Sequence, residues 1–135
     1  MKIRRVIILI VVVIASFLAG RVVKTYIDLR TYRKQVAAIT ISDVDLNQIS
    51  EGTYRGSHDV LWIGAEVEVT VEDHRLEKII LISHRNERGA SAEVIPSRVL
   101  KAQSLKVDTV AGSTSSSKVI LKAIENALDS EVEIE

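Results

Sequence analysis

The sequence predicts an α+β fold: an N-terminal transmembrane helix followed by a small antiparallel sheet with helices packed on one face. Three patterns carry that reading. Val6 to Leu18 is an uncharged apolar run behind Lys2, Arg4 and Arg5. Ala65, Val67, Val69 and Val71 alternate with Glu66, Glu68, Thr70 and Glu72, the period of a strand with one buried face. Val119, Ile120, Ala123, Ile124, Ala127 and Leu128 recur at helical spacing. At 135 residues the chain has room for one small domain and an appendage.

The apolar run is the first element. Extended from Ile3 to Val23 it reaches roughly 20 residues, enough to cross a ~30 Å hydrocarbon core, with Arg21 able to snorkel to the interface. A cleaved signal peptide is the alternative, but Ser16-Phe17-Leu18-Ala19-Gly20 offers no small-x-small pair where cleavage needs one. Val22 to Ile39 is amphipathic and continues the helix as a juxtamembrane stalk whose cations meet lipid phosphates. Residues 1–39 are thus expected as anchor and stalk, 40–50 as a linker, and 51–135 as the soluble domain. The cluster Lys2, Arg4 and Arg5 favours a cytoplasmic N-terminus, while Arg21, Lys24, Arg30, Arg33 and Lys34 beyond the span oppose it.

Charge separates the same two parts. Residues 1–34 carry eight Lys or Arg against Asp28 alone, a net +7, and the remainder carries 10 basic and 17 acidic residues, a net −7. A basic arm on an acidic body suits a tethered domain and argues against a nucleic-acid binder, which needs clustered cations on the body. The 0 cysteines exclude disulfides, iron–sulfur clusters, thiolate zinc, a cysteine nucleophile and a lipid-anchored bacterial lipoprotein.

Within the body, Glu51-Gly52-Thr53-Tyr54-Arg55-Gly56-Ser57 leads in with two glycines bracketing a tyrosine. The alternating strand follows, then a polar turn at Glu72-Asp73-His74-Arg75 and a second strand from Leu76 to Ser83, forming a hairpin. A helix is expected from Ala92 to Gln103, with Pro96 either in its first turn or splitting it. Leu105 to Val110 reads as a short strand or loop. In the last helix Lys118, Lys122, Glu125 and Asn126 are expected to face outward.

The hydroxyl-rich start of that helix is the chemically informative segment. Thr114, Ser115, Ser116 and Ser117 stand where orphan N–H groups and the macrodipole favour an anion; Gly112 allows close backbone approach and Lys118 adds a cation. The same letters also suit an ordinary N-cap and flexible loop. His58, His74 and His84 share no ligand spacing and read as surface or turn residues. The acidic residues of the first strand read as a solvated face. Tyr54 and Trp62 are the aromatic candidates for lining a ring-binding pocket, or for plain core.

Taken in order, Glu51-Gly52-Thr53-Tyr54-Arg55-Gly56, the hairpin, His84-Arg85-Asn86-Glu87 and Asp108-Thr109-Val110-Ala111-Gly112-Ser113-Thr114-Ser115-Ser116-Ser117 resemble the small FMN-binding domain. That domain occurs in the flavin-carrying subunits of Rnf-type and sodium-pumping NADH:quinone reductase complexes and in membrane-anchored electron-transfer proteins. The resemblance implies FMN joined through a phosphoester to Thr114, installed by a separate flavin transferase with FAD as donor. The cofactor-binding set it implies is Thr114, Gly112, Ser113, Ser115, Ser117, Asp108, Tyr54 and Glu87. It further implies an extracytoplasmic body that passes electrons between redox partner proteins or a membrane redox complex, a carrier rather than an enzyme with its own substrate. Ala111 stands where the family has Ser or Thr, and Ser113 where it has Ala; the second element lacks its threonine and has its glutamate shifted by one. Those departures motivate an alternative, a flavin-free membrane-tethered structural or interaction domain, beside a third reading as a flavin-dependent reductase.

Overall fold

The computed structural model describes residues 1–130; the expected domain end at residue 135 lies outside the described residues. Contacts divide the chain into two units, Met1–Lys34 and the remainder from Gln35. The first lies within helix α1, Lys2–Ala38, 37 residues without a break, so that anchor and stalk are one helix. At 1.5 Å per residue it is about 55 Å long. It is long and apolar enough to cross a membrane, and none of its residues is buried against protein. Ile8, Leu9, Val13 and Phe17 are each more than half exposed, an apolar surface that a hydrocarbon phase would relieve.

The second unit is built on a three-stranded antiparallel sheet in the order β1-β2-β3, from Gly52–Val60, Ile63–Glu72 and Arg75–Arg85. The β2–β3 connection is the expected polar turn, with Asp73 and His74 both at positive φ, as a two-residue hairpin demands. Val67, Val69 and Val71 of β2 are fully buried, as the alternation predicts. Fully burying each stabilises by roughly 1.5–3 kcal/mol.

The sheet has a strand that the hydrophobic pattern conceals. β1 takes in the Gly-Thr-Tyr-Arg-Gly segment, and between Tyr54 and Val60 its inward positions are Gly56 and His58, partners of Val67 and Ala65. Gly56 is required there. A Cβ would run into the backbone of Ala123 and Ala127, because helix α3, Thr114–Asp129, lies directly on β1 and β2.

A 3-10 turn, Ala90–Val94, leads into helix α2, Ile95–Ala102. Pro96 sits in the first turn of α2, so the expected Ala92–Gln103 helix is split in type but continuous in path. Gln103 ends it in the left-handed conformation. Its amide accepts from Leu76 N–H at 2.8 Å and donates to Leu76 C=O at 2.9 Å, acting as a strand partner at the free edge of β3. Leu105 to Val110 is loop.

Glu125 corrects the outward face expected of α3: it is buried, 4 % exposed. Its carboxylate accepts from Lys122 Nζ at 2.9 Å and Ser42 N–H at 3.3 Å. The 40–50 segment is thereby fastened to the body. Asp43 adds a second clasp, accepting from Ser104 Oγ and from Leu105 N–H at 3.1 Å. Burial pushes the Asp43 carboxyl up, but the hydrogen bonds from Leu105, Ser104 and Val44, with the Lys106 charge, outweigh it and hold the pKa below the ordinary value. A depressed carboxyl contributes stability that is present above its unfolded pKa and lost as pH falls through the folded one.

Two outcomes follow from these contacts. Gly56→Ala is expected to destabilise the body by about 1–3 kcal/mol through overpacking, read as a lowered melting temperature, whereas Gly20→Ala, with nothing within 4 Å, leaves it unchanged. Hydrogen-exchange protection of the Leu105 amide is expected to hold at neutral pH and weaken below about pH 4, near the unfolded carboxyl value. Asp43→Asn should lose that pH dependence.

Candidate functional site

Helix α3 begins on a tight turn. Ser113 N–H donates to Val110 C=O at 2.9 Å, and the third residue of that turn, Gly112, has φ +79°. A positive φ at this position is the type II requirement, which glycine meets without strain. A Cβ on Gly112 would meet nothing within 4 Å, so the residue is needed for its dihedral and the space above it is open. Ser117 fastens the turn from inside. Wholly buried, its hydroxyl donates to Ser113 C=O at 2.8 Å and accepts from Val110 N–H at 3.0 Å.

The helix start itself is bare. Ser113 occupies the N-cap, yet its hydroxyl pairs with that of Ser91 and caps nothing. The first helical amide with a carbonyl partner is that of Ser117, on Ser113 C=O at 2.9 Å. The amides of Thr114, Ser115 and Ser116 are the orphan donors of a 16-residue helix. An anion there is favoured by about 0.3–1 kcal/mol at an exposed end. Thr114 is exposed and Ser115 is half-exposed on the first turn. Below the loop a groove of about 590 Å³ gathers Arg98, Lys101 and Lys106 beside Asp108, adding positive potential on an otherwise acidic body.

The expected site residues divide into two groups. Gly112, Ser113, Thr114, Ser115 and Ser117 form the turn and first helical turn. Asp108 lies at the foot of the same loop, exposed, with its carbonyl accepting from Arg98 Nη1 at 2.9 Å. Glu87 is exposed on the segment after β3, two residues before Gly89, whose missing Cβ lets the chain lie on Ser116. Tyr54 stands apart. It is buried on β1, donates to Ser50 C=O at 2.7 Å, and lines a cavity with Leu128 and Asp129 at the far end of α3. That end is about 20 Å from Thr114 along the helix. The cavity measures about 600 Å³ but is lined by Asp43, Asp45, Glu125 and Asp129, a poor host for a phosphate. Trp62, the other aromatic candidate, is 37 % exposed in the β1–β2 turn, whose carbonyls Arg85 holds.

His84 overturns its reading as a surface or turn residue. Its side chain is 2 % exposed, and it faces inward because two bulges in the β2–β3 pairing bring it opposite Ala65. Nδ1 lies 3.1 Å from Glu93 Oε1 and 3.2 Å from Asn86 Nδ2. Nε2 is buried and, among the described residues, is the one buried side-chain polar atom without a partner. Such a group costs about 1–3 kcal/mol. Ser91, which meets Ser113, carries no sequence signal; only the folded loop brings it in.

The family model for the FMN-binding domain matches residues 61–129, just over half the chain, and the chain belongs to that family. The match takes in Glu87, Asp108 and Gly112 to Ser117 and leaves Tyr54 outside it. FMN is the cofactor. The residues present fit its phosphate: bare amides at a helix start, an exposed threonine at Thr114, and open space over Gly112. Ser113, the departure from the family pattern, keeps its extra hydroxyl satisfied on Ser91. With its apolar helix α1, the chain fits a membrane-anchored flavin-binding protein.

Ser117→Ala removes both bonds that fasten the turn and is expected to cost about 1–3 kcal/mol. A fall of at least about 4 °C in melting temperature, together with reduced flavin content, checks it; an unshifted melt would contradict the role given to Ser117.

Proposed function

We propose that this member of the FMN-binding domain family is a membrane-anchored electron carrier whose FMN is joined by a phosphoester to Thr114. The observation that carries the reading is the uncapped start of α3, with an exposed threonine beside three unengaged amides. When bound, the isoalloxazine ring supplies the redox chemistry. The work of this chain's residues is to hold and orient.

Attachment is a phosphoryl transfer made with a separate flavin transferase. Thr114 Oγ1 would lose its proton and take the FMN phosphoryl group of FAD, the phosphoanhydride bond breaking with AMP as leaving group. The amides of Thr114 to Ser116 then hold the remaining charge of the phosphodiester. Ser117 and Gly112 are positioning residues, since they set the turn from which those amides point. Asp108 and Glu87 flank the loop, where their carboxylates limit which anions approach. Ser115 is half-exposed on the same first turn.

The body is proposed to span residues 51–135 behind the anchor and stalk of 1–39 and the strap of 40–50, on the extracytoplasmic side. Its electrons come from and go to redox partner proteins or a membrane redox complex, because no nicotinamide motif accompanies the flavin site.

Thr114→Val keeps the side-chain volume and removes the hydroxyl. Coexpressed with the transferase, it is expected to lose all acid-stable flavin fluorescence in a denaturing gel, while wild type and Thr114→Ser keep a fluorescent band. Covalent flavin retained by Thr114→Val would overturn the assignment. A colourless wild type, with the transferase active on a control substrate, would favour the flavin-free tethered domain instead.

A further inference from the structure

The two hairpin turns of the sheet are opposite in character. At one end Asp73 and His74 take positive φ, and both are polar and exposed, as a solvated tip should be. At the other end, between the paired Val60 and Ile63, the turn is Leu61-Trp62. Leu61 stands at φ +44°, where a bulky side chain is strained and Gly or Asn is usual. It is 44 % exposed and Trp62 is 37 % exposed, so burial in the body does not offset the strain.

The strained turn is held in place by its neighbours. Arg85 Nη2 donates to Asp59 Oδ1 at 2.9 Å and to Leu61 C=O at 3.3 Å, and Arg85 Nε donates to Trp62 C=O at 3.4 Å. Gly64 leaves room for this clasp, since a Cβ there would collide with the Asp59 carboxylate. Backbone strain maintained in this way, on a turn that shows two large apolar side chains to the outside, points to a use for those side chains. Position indicates which. Gln35, Ala38 and Ile39, where α1 ends and the body begins, line a pocket of about 470 Å³ with His58, Asp59 and Val60, the residues that run directly into the turn. The polar turn lies roughly 30 Å away along the 10 residues of β2. The apolar turn is thus the one beside the root of the membrane helix.

We propose that the Leu61-Trp62 turn is a second membrane contact, which inserts into the interface of the bilayer that α1 crosses and so sets which end of the body faces the lipid. The chemistry of the turn suits that phase. An indole, apolar with one polar N–H, is favoured at headgroup depth; the leucine gains by meeting acyl chains, and the Asp59–Arg85 pair at the rim matches zwitterionic headgroups. The inference rests on α1 as a bilayer anchor and does not use the flavin.

Trp62 is the single tryptophan of the chain, so its fluorescence reads the turn without a label. The full chain, made without the transferase and free of flavin by mass and absorbance, is placed in phosphatidylcholine nanodiscs. The lipid is brominated either near the headgroup or near the chain ends, and retention in the discs is read by gel filtration. The expected result is strong quenching of Trp62 by the shallow bromine, weaker quenching by the deep one, and shielding from acrylamide. Leu61→Asn, which suits positive φ, is expected to keep or raise the melting temperature while the Trp62 emission shifts to the red and lipid quenching weakens. Trp62 left unquenched by both lipids in a chain that stays in the discs overturns the inference and leaves the anchor standing, whether acrylamide reaches the turn or a protein surface shields it. A chain that does not enter the discs removes the anchor and the inference with it. A Leu61→Asn chain that melts lower yet keeps full lipid quenching would also contradict the proposal, since the leucine would then serve the packing of the body.

Discussion

At Gly56 the backbone of β1 runs against the backbone of α3, and the remaining layers are placed by that contact. A helix resting at side-chain distance from a sheet can slide or tilt within its packing. Here a single missing Cβ lets β1 meet Ala123 and Ala127 directly, which fixes the axis of α3 and therefore where its first turn emerges. Buried Val119, Ile120, Ala123 and Ile124 complete the seat. The turn at Val110–Ser113, held by Ser117, then presents Thr114 from a rigid base rather than from a mobile loop.

Much of this was legible in the sequence, for physical reasons that also explain what was not. β2 is buried on one face only, so its valines alternate cleanly with charged or hydroxylic residues; α3 packs along one stripe and shows helical spacing. Both are signals of apolar side chains. β1 lacks that signal because its inward positions include Gly56, where no side chain fits, and His58. β3 breaks period two at its bulges, which exposes Ile82 and turns His84 inward. Glu125 was placed outside because a carboxylate normally is; it is buried because Lys122 and the Ser42 amide accompany it. The Gly-Ser-Thr-Ser-Ser-Ser segment forms the helix start that the sequence predicts, but the separate jobs of its hydroxyls, Ser113 on Ser91 and Ser117 across the turn, are properties of the folded loop.

The site departs from what stability alone would select. Ser113 stands at the N-cap yet spends its hydroxyl elsewhere, three amides are left without side-chain caps, and a histidine nitrogen is buried empty. Local inconsistencies of this kind gather at functional sites. The bare amides lie at one end of α3, whereas toward the opposite end Tyr54 donates to Ser50 and Asp43 accepts from Leu105. A helix start left open for a ligand on a firmly clasped body is the division of labour expected of a cofactor-binding domain.

The most direct measurement is the intact mass of the chain isolated from membranes of a host containing an active flavin transferase, with the modified peptide sequenced. The account predicts a single addition of one FMN less one water, located on Thr114. An addition located on any other residue, or an unmodified chain beside a modified control protein, would contradict it.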